Sequence, residues 1–214
     1  PCSTIQMSSE GTTGKIILIT MIKKLLSLAL VFPISSACAG VTMKTEYEIE
    51  EKSITPISVV KSSWKCPDCS PEEQYVLAEL QEHTKITDRN ALATIMGNIK
   101  QESKFHSNIC EGGARVPYSD CHRGGYGLIQ WTSENRYLGL GIFCENFGCD
   151  PSSLEGQTRW MINEPIFQRY LPEFEGSGKT VQQYMVPAYY WLGWGIKGNR
   201  EVYSYNYTKR LVYA

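Results

Sequence analysis

Long apolar runs are missing from this chain of 214 residues, and so is any excess of charge. The most apolar stretch, Leu25 to Ile34, falls short of the ~20 residues that a membrane-spanning helix needs, so no stable span is expected once a leader is removed. Twenty-one Lys and Arg stand against 22 Asp and Glu. The first 39 residues carry three of the basic and one of the acidic side chains, which leaves 18 against 21 in the rest. With no basic stripe, nucleic acid is excluded as a partner. Histidine is scarce, and His83, His106 and His122 are too scattered to form a ligand set, so no metal and no cofactor is assigned. Cys66-Pro-Asp-Cys69 has no second CxxC and no nearby His, which disfavours zinc. The lack of a βαβ pattern around it opposes a thiol oxidoreductase. No internal repeat is visible.

What is present begins with an export signal. Met21-Ile-Lys-Lys, the apolar Leu25 to Ile34 and then Ala37-Cys38-Ala39 make a charged n-region, a short h-region and a small-residue cleavage site. Residues 21–39 therefore read as a signal peptide, with lipid attachment at Cys38 a secondary reading. Residues 1–20 precede it without an initiating methionine and read as an upstream extension. Residues 40–69 read as a linker or extended arm, and residues 70–214 as the folded domain. Length and aromatic content suffice for a packed core there.

Six cysteines follow the signal, an even number that favours disulfides in an exported chain. Proximity pairs Cys110 with Cys121 and Cys144 with Cys149. Cys66 and Cys69 fit a redox pair, half a zinc site or a tight structural disulfide.

Punctuation in the sequence divides the domain into about six helices. Ser70-Pro-Glu-Glu supplies an N-cap, a first-position proline and first-turn acids for a helix to about His83. Thr87 or Asp88 caps the next. Phe105 to Gln130 is too rich in Gly, Pro and Cys for a helix and predicts loops and a small hairpin. Further helices are predicted from Ser133 to Phe147, from an Asp150-Pro start with a Ser152 to Glu155 capping box, from Thr180, and from Asn199. Pro165 is expected to kink or interrupt the long helix that starts at 150.

The second helix carries the residue that matters most. Leu92, Ile95, Met96 and Ile99 form an apolar stripe at helical spacing, and Glu102 is the next position on that face. A carboxyl on the core side, next to the negative end of its own helix dipole, is disfavoured as an anion. That is the profile of a general acid.

Three stretches then carry a resemblance: Met96-Gly-Asn-Ile-Lys-Gln-Glu-Ser-Lys-Phe105, Gly125-Tyr-Gly-Leu-Ile-Gln-Trp131-Thr, and Leu154-Glu-Gly-Gln-Thr-Arg-Trp160 leading to Glu164. In this order and spacing, residues 71 to about 200 resemble the phage tail lysozyme family of the lysozyme-like superfamily. The resemblance implies an α+β, mainly helical fold with a small β-hairpin between the helix of Glu102 and a helical lobe. It also implies cleavage of peptidoglycan glycan strands between N-acetylmuramic acid and N-acetylglucosamine, with Glu102 in the position of the catalytic glutamate.

The segment from Gly125 resembles the floor of the superfamily's cleft. There Gly127 would let backbone approach a sugar, Tyr126 and Trp131 would offer ring faces, and Gln130 would hydrogen-bond an N-acetyl or hydroxyl group; the alternative is a tight hairpin whose aromatics pack in the core, with neither reading preferred for Trp131. Ser103 and Thr132 carry hydroxyls that position water, brace Glu102 or simply cap. Asp120 is the first candidate for a second carboxylate and Glu111 the next. Without either, a lytic transglycosylase, in which the sugar's own 6-hydroxyl attacks, replaces a muramidase. Tyr189 to Trp194 is either an aromatic core stripe or the far wall of a glycan groove. Partners are then glycan strands and phage tail or other virion proteins. The location is the periplasm or outside the cell, or the virion, although the export signal departs from a virion-borne protein. A non-catalytic glycan-binding or virion structural module is the rival, favoured if Glu102 is exposed or salt-bridged away from a groove.

Overall fold

The computed structural model describes residues 62–214. The expected extension, the signal peptide and residues 40–61 of the expected linker lie outside them. Among the described residues the order is β1 (Trp64–Lys65), α1 (Pro71–His83), α2 (Arg89–Ser103), a 3-10 turn (Tyr118–Asp120), α3 (Glu134–Phe147), α4 (Leu154–Asn163), α5 (Pro165–Phe174), α6 (Val181–Leu192), α7 (Arg200–Arg210) and β2 (Val212–Tyr213). The fold is mainly helical, as the sequence predicts, and carries a small antiparallel sheet that joins the two ends of the described residues.

The last residues of the expected linker, 62–69, belong to the folded body. β1 pairs with β2, Trp64 with Tyr213 and Lys65 with Val212. Trp64 pins this ladder to α1 and to the loop before α2: its N–H donates to Gln81 Oε1 at 2.7 Å and its indole N–H to the Thr87 carbonyl at 2.8 Å. A single tryptophan inside a polar segment gave no periodicity from which to read that anchoring.

α2 is the central helix. Asp88 caps it, accepting from the N–H groups of Asn90 and Ala91, while its other carboxylate oxygen accepts from Gly178 N–H at 2.7 Å. Every residue from Ala91 to Ile99 is buried, so α2 is covered on all sides rather than along one stripe. α7 lies closest to it. A Cβ on Gly97 would sit 2.7 Å from Ser204 Cα, so only glycine permits this approach of the two backbones.

Ser70 and Thr180, expected as helix starts, each form a full capping box: Ser70 reciprocates with Glu73, and Thr180 with Gln183. The expected box from Ser152 to Glu155 is replaced by Ser153, whose hydroxyl accepts from Gly156 N–H at 3.0 Å. Asp150 instead turns the preceding loop by accepting from Ser152 N–H. Pro165 divides the expected long helix into α4 and α5, with Glu164 in extended geometry between them. A proline has no N–H to continue α4 and is preorganised as the first residue of α5.

The cysteines stand as bonded pairs, 66 with 69, 110 with 121 and 144 with 149, at Cα separations of 5.3, 5.6 and 4.4 Å. Each closes a short segment. Between α2 and α3 the β content consists of isolated bridges, Ile109 to Arg115, Cys110 to Tyr126 and Tyr126 to Trp131. Its glycines and disulfide favour turns over a continuous ladder.

Glu73 ties α1 to α2 and α7. Its buried carboxylate accepts from Lys100 Nζ at 2.6 Å, Tyr207 hydroxyl at 2.5 Å and Ser70 N–H at 2.8 Å. Burial alone would raise its pKa, but these donors together hold it below the ordinary carboxylate value. A depressed folded pKa gives stability that is present above the unfolded value of 4.5 and lost as pH falls through the folded one. Glu73→Gln should cost about 2–3 kcal/mol at pH 7, less than a fully enclosed pair because Lys100 is partly exposed. Denaturant titrations should show the gap to the unsubstituted protein closing only as pH falls below 4.5. A gap independent of pH would contradict the ion-pair account.

Candidate active site

The C-terminal end of α2 and the glycine-rich turn after Gly125 meet through Ser103. Its hydroxyl donates to the Leu128 carbonyl at 2.7 Å and accepts from Phe105 N–H at 3.1 Å. Lys104 and Phe105 have φ of 54° and 66°, and Gln130 has φ of 54°. Lys104 is the left-handed C-cap that ends α2, and Phe105 follows it in the same region, so the chain turns sharply just after Glu102, while Gln130 takes the left-handed conformation within the glycine-rich turn. Ser103 thus braces the turn behind Glu102.

Glu102 is mostly buried, with its side chain 15% exposed, and its Oε1 accepts from Arg200 Nη2. Burial raises its pKa above the ordinary glutamate value, against the opposing pull of Arg200 and, more weakly, Arg136. The charged groups that act on it are thus both guanidiniums. Arg200 is the first residue of α7 and is itself buried. Its Nη1 donates to the carbonyls of Ile196 and Lys197 at 2.8 and 2.9 Å, and its guanidinium lies 4.6 Å from the ring centre of Trp194. Its Nε has no partner among the described residues. The sequence reading missed Arg200. One signal was available: a cation in the first turn of a helix opposes the helix dipole, and so calls for an anion brought from elsewhere.

The second missed residue is Arg136 on α3. Its Nη2 donates to Glu164 Oε1 at 2.6 Å and its Nε to Oε2 at 3.0 Å. The same two oxygens accept the indole N–H of Trp191 at 2.9 Å and of Trp131 at 3.1 Å. Glu164 is fully buried, and all four bonds converge on its one carboxylate. The break at Pro165 aims it inward.

Two expected sugar platforms are corrected. Tyr126 and Trp131 are both fully buried and offer no face to a glycan. Trp131 is turned in by Glu164, and Tyr126 by edge contacts with Tyr118 and Tyr137 and by a hydrogen bond to the Val116 carbonyl. Gly127, at φ 72°, is also buried and lies against the amide of Gln157, leaving no room for a Cβ. That amide accepts from Leu128 N–H and donates to the Ser107 and Pro151 carbonyls, so it locks the turn. Gln130 spends its amide N–H groups on the Gly127 and Ile109 carbonyls. Thr132 is exposed, with its hydroxyl on the Gln130 carbonyl. The turn is a packed brace.

Neither second-carboxylate candidate has a contact with Glu102. Asp120 is exposed on the 3-10 turn and accepts from Ser119 hydroxyl at 2.8 Å. Glu111 accepts from Gly125 N–H at 3.0 Å and supports the turn. Of the late aromatics, Trp191 is core, while Tyr189 and Tyr190 are exposed and Trp194 is partly buried. No helix among the described residues is long and apolar enough to cross a membrane.

Compared with known families, residues 72–186, just over half of the chain, match the family described as phage tail lysozyme. No curated protein and no solved structure matches.

Glu164→Gln should be among the most damaging conservative changes in the domain. An amide cannot accept at its nitrogen, so at least one buried donor is left facing an N–H, and Arg136 loses its counter-charge. A loss of about 3–5 kcal/mol is expected by chemical denaturation. A change under ~1 kcal/mol would show that the four-fold contact is not a structural anchor.

Proposed function

Because the chain belongs to the phage tail lysozyme family, we propose that Glu102 is the general acid of its peptidoglycan cleavage, acting on the bond between N-acetylmuramic acid and N-acetylglucosamine. A peptidoglycan-degrading, lysozyme-like function follows from the family. The assignment to Glu102 rests on its place, a carboxyl mostly buried near the end of α2 in contact with Arg200, where burial disfavours the anion even against that guanidinium. A poor alkoxide leaving group needs a proton in hand near neutral pH, and a carboxyl that resists ionisation supplies it.

The absence of a carboxylate among the charges acting on Glu102 favours a one-carboxyl route. Hydrolysis by two acids needs them ~5 to 9.5 Å apart. In the one-carboxyl route Glu102 gives its proton to the glycosidic oxygen, and the departing sugar leaves with a 4-hydroxyl. The 6-hydroxyl of the muramyl residue then bonds to C1 and returns its proton to Glu102, closing a 1,6-anhydro ring. No water is consumed. Muramidase action with Asp120 as the second carboxylate is the alternative within the same chemistry. The rival reading, a non-catalytic module, draws support from the Arg200 pair, which would hold Glu102 as a plain structural anion. The three paired cysteines and the Met21 to Ala39 segment support delivery outside the cytoplasm, to the periplasm, the cell exterior or a virion.

Glu102→Gln should lower muropeptide release from purified sacculi by ~10²-fold or more with the fold retained by circular dichroism. Full activity in that variant would eliminate the assignment. Mass spectrometry should find 1,6-anhydro-muramyl ends, whereas reducing ends would establish hydrolysis and return attention to Asp120. The pH profile gives a separate check. Arg200 favours the anion of Glu102, so Arg200→Gln should raise the pKa of the acid and move the alkaline limb of activity to higher pH. A limb that stays in place or moves down would contradict a general acid paired with Arg200.

A further inference from the structure

α6 is apolar on two opposite faces. Val181, Tyr184, Met185, Ala188 and Trp191 point into the core, as one stripe of an ordinary packed helix does. Val186, Tyr189 and Tyr190, at spacings of three and four, are 54%, 46% and 55% exposed on the other side. A helix apolar all round is expected to be covered, and a contiguous exposed patch marks a binding surface.

The order of the rings on that face is informative. Tyr170 on α5 stacks on Tyr190 at 5.9 Å between ring centres, Tyr190 meets Tyr189 at 5.3 Å, and Tyr189 meets Trp194 edge to face at 5.4 Å. Trp194 is in turn capped by the Arg200 guanidinium at 4.6 Å, and Arg200 holds Glu102. A ladder of four rings therefore runs over the surface from α5 and terminates, through one guanidinium, on the carboxyl assigned to bond cleavage.

We infer that Tyr190, Tyr189 and Trp194 form an extended binding platform for the glycan strand, leading it to Glu102 from the α6 side. The axial C–H face of a pyranose is apolar and matches an exposed aromatic ring, while the hydroxyl and N-acetyl groups at its rim remain solvated. A linear polymer of such rings needs repeated aromatic contacts along one line. Successive rings here meet at interplanar angles of 20°, 71° and 80°, so the surface is stepped rather than flat. That suits a strand whose sugars are rotated relative to each other. Trp194 has a further role: it contacts Arg200, so a sugar seated on it bears on the group that sets the ionisation of Glu102. The occupant is a glycan rather than a protein because the ladder ends at the cleavage carboxyl, and this identification rests on the Glu102 reading.

The test uses binding without turnover. In a Glu102→Gln background, calorimetry with a β-1,4-linked N-acetylglucosamine hexamer should give a Kd about tenfold weaker for Trp194→Leu and about threefold weaker for Tyr189→Leu and Tyr190→Leu. In the active protein the same three changes should raise KM for sacculi more than they lower kcat. Tyr189 and Tyr190 are exposed enough that their substitution leaves the fold intact, which keeps the inference falsifiable if Trp194→Leu fails to fold. Unchanged Kd in the two tyrosine variants would overturn it and leave the face to a protein partner. Retained activity in Glu102→Gln would sink the acid assignment instead, and the binding result would stand or fall separately.

Discussion

The carboxylate of Glu164 is the point on which the active region hangs. It receives Arg136 from α3, Trp131 from the end of the glycine-rich turn and Trp191 from α6, all inside the core. Four charge-assisted donors offset the cost of burying the anion, and each donor orders a different segment. Trp191 fixes the inner face of α6 and so presents Tyr189 and Tyr190 outward. Arg136, held here, is also one of the two cations that act on Glu102. Structural anchoring and the electrostatics of the acid are thereby coupled through one side chain.

At Glu102 two effects oppose each other. Burial disfavours the anion, and Arg200 favours it; burial wins. A carboxyl that resists ionisation suits a proton donor. Arg200 alone would keep the carboxyl ionised and useless as an acid, whereas burial without a cation would leave it reluctant to give up the proton at the transition state. The left-handed backbone at Phe105 and Gln130 is held by local contacts, the Ser103 hydroxyl on Phe105 N–H and the Gln130 amide on the Gly127 carbonyl, and the Ser103 hydroxyl also ties the end of α2 to the turn through the Leu128 carbonyl.

Local signals in the sequence were legible. Ser70, Asp88, Thr180 and Gly148 start and stop helices through contacts within a few residues, so their chemistry can be read in one dimension. The awkward register of Glu102 was equally plain. What escaped reading lies in pairs far apart in the chain, such as Glu102 with Arg200 and Arg136 with Glu164, since nothing local marks which anion a cation will meet. The glycine-rich turn misled for a related reason. Aromatics beside glycines are compatible with a sugar floor and with a packed brace, and only the position of Glu164 decides that Trp131 faces inward. Tyr189 and Tyr190 show the reverse, an aromatic stripe that periodicity assigns to the core but that the second apolar face of α6 leaves outside.

The direct measurement of the central claim is the titration of the Glu102 carboxyl itself, followed by carbon-13 NMR of glutamate-labelled protein with Glu102→Gln for assignment. The account predicts a midpoint above the ordinary glutamate value of 4.5 and a resonance that moves further up when Arg200 is replaced. A midpoint at or below that value would mean that Arg200 outweighs burial, and Glu102 would then be a structural anion and not an acid.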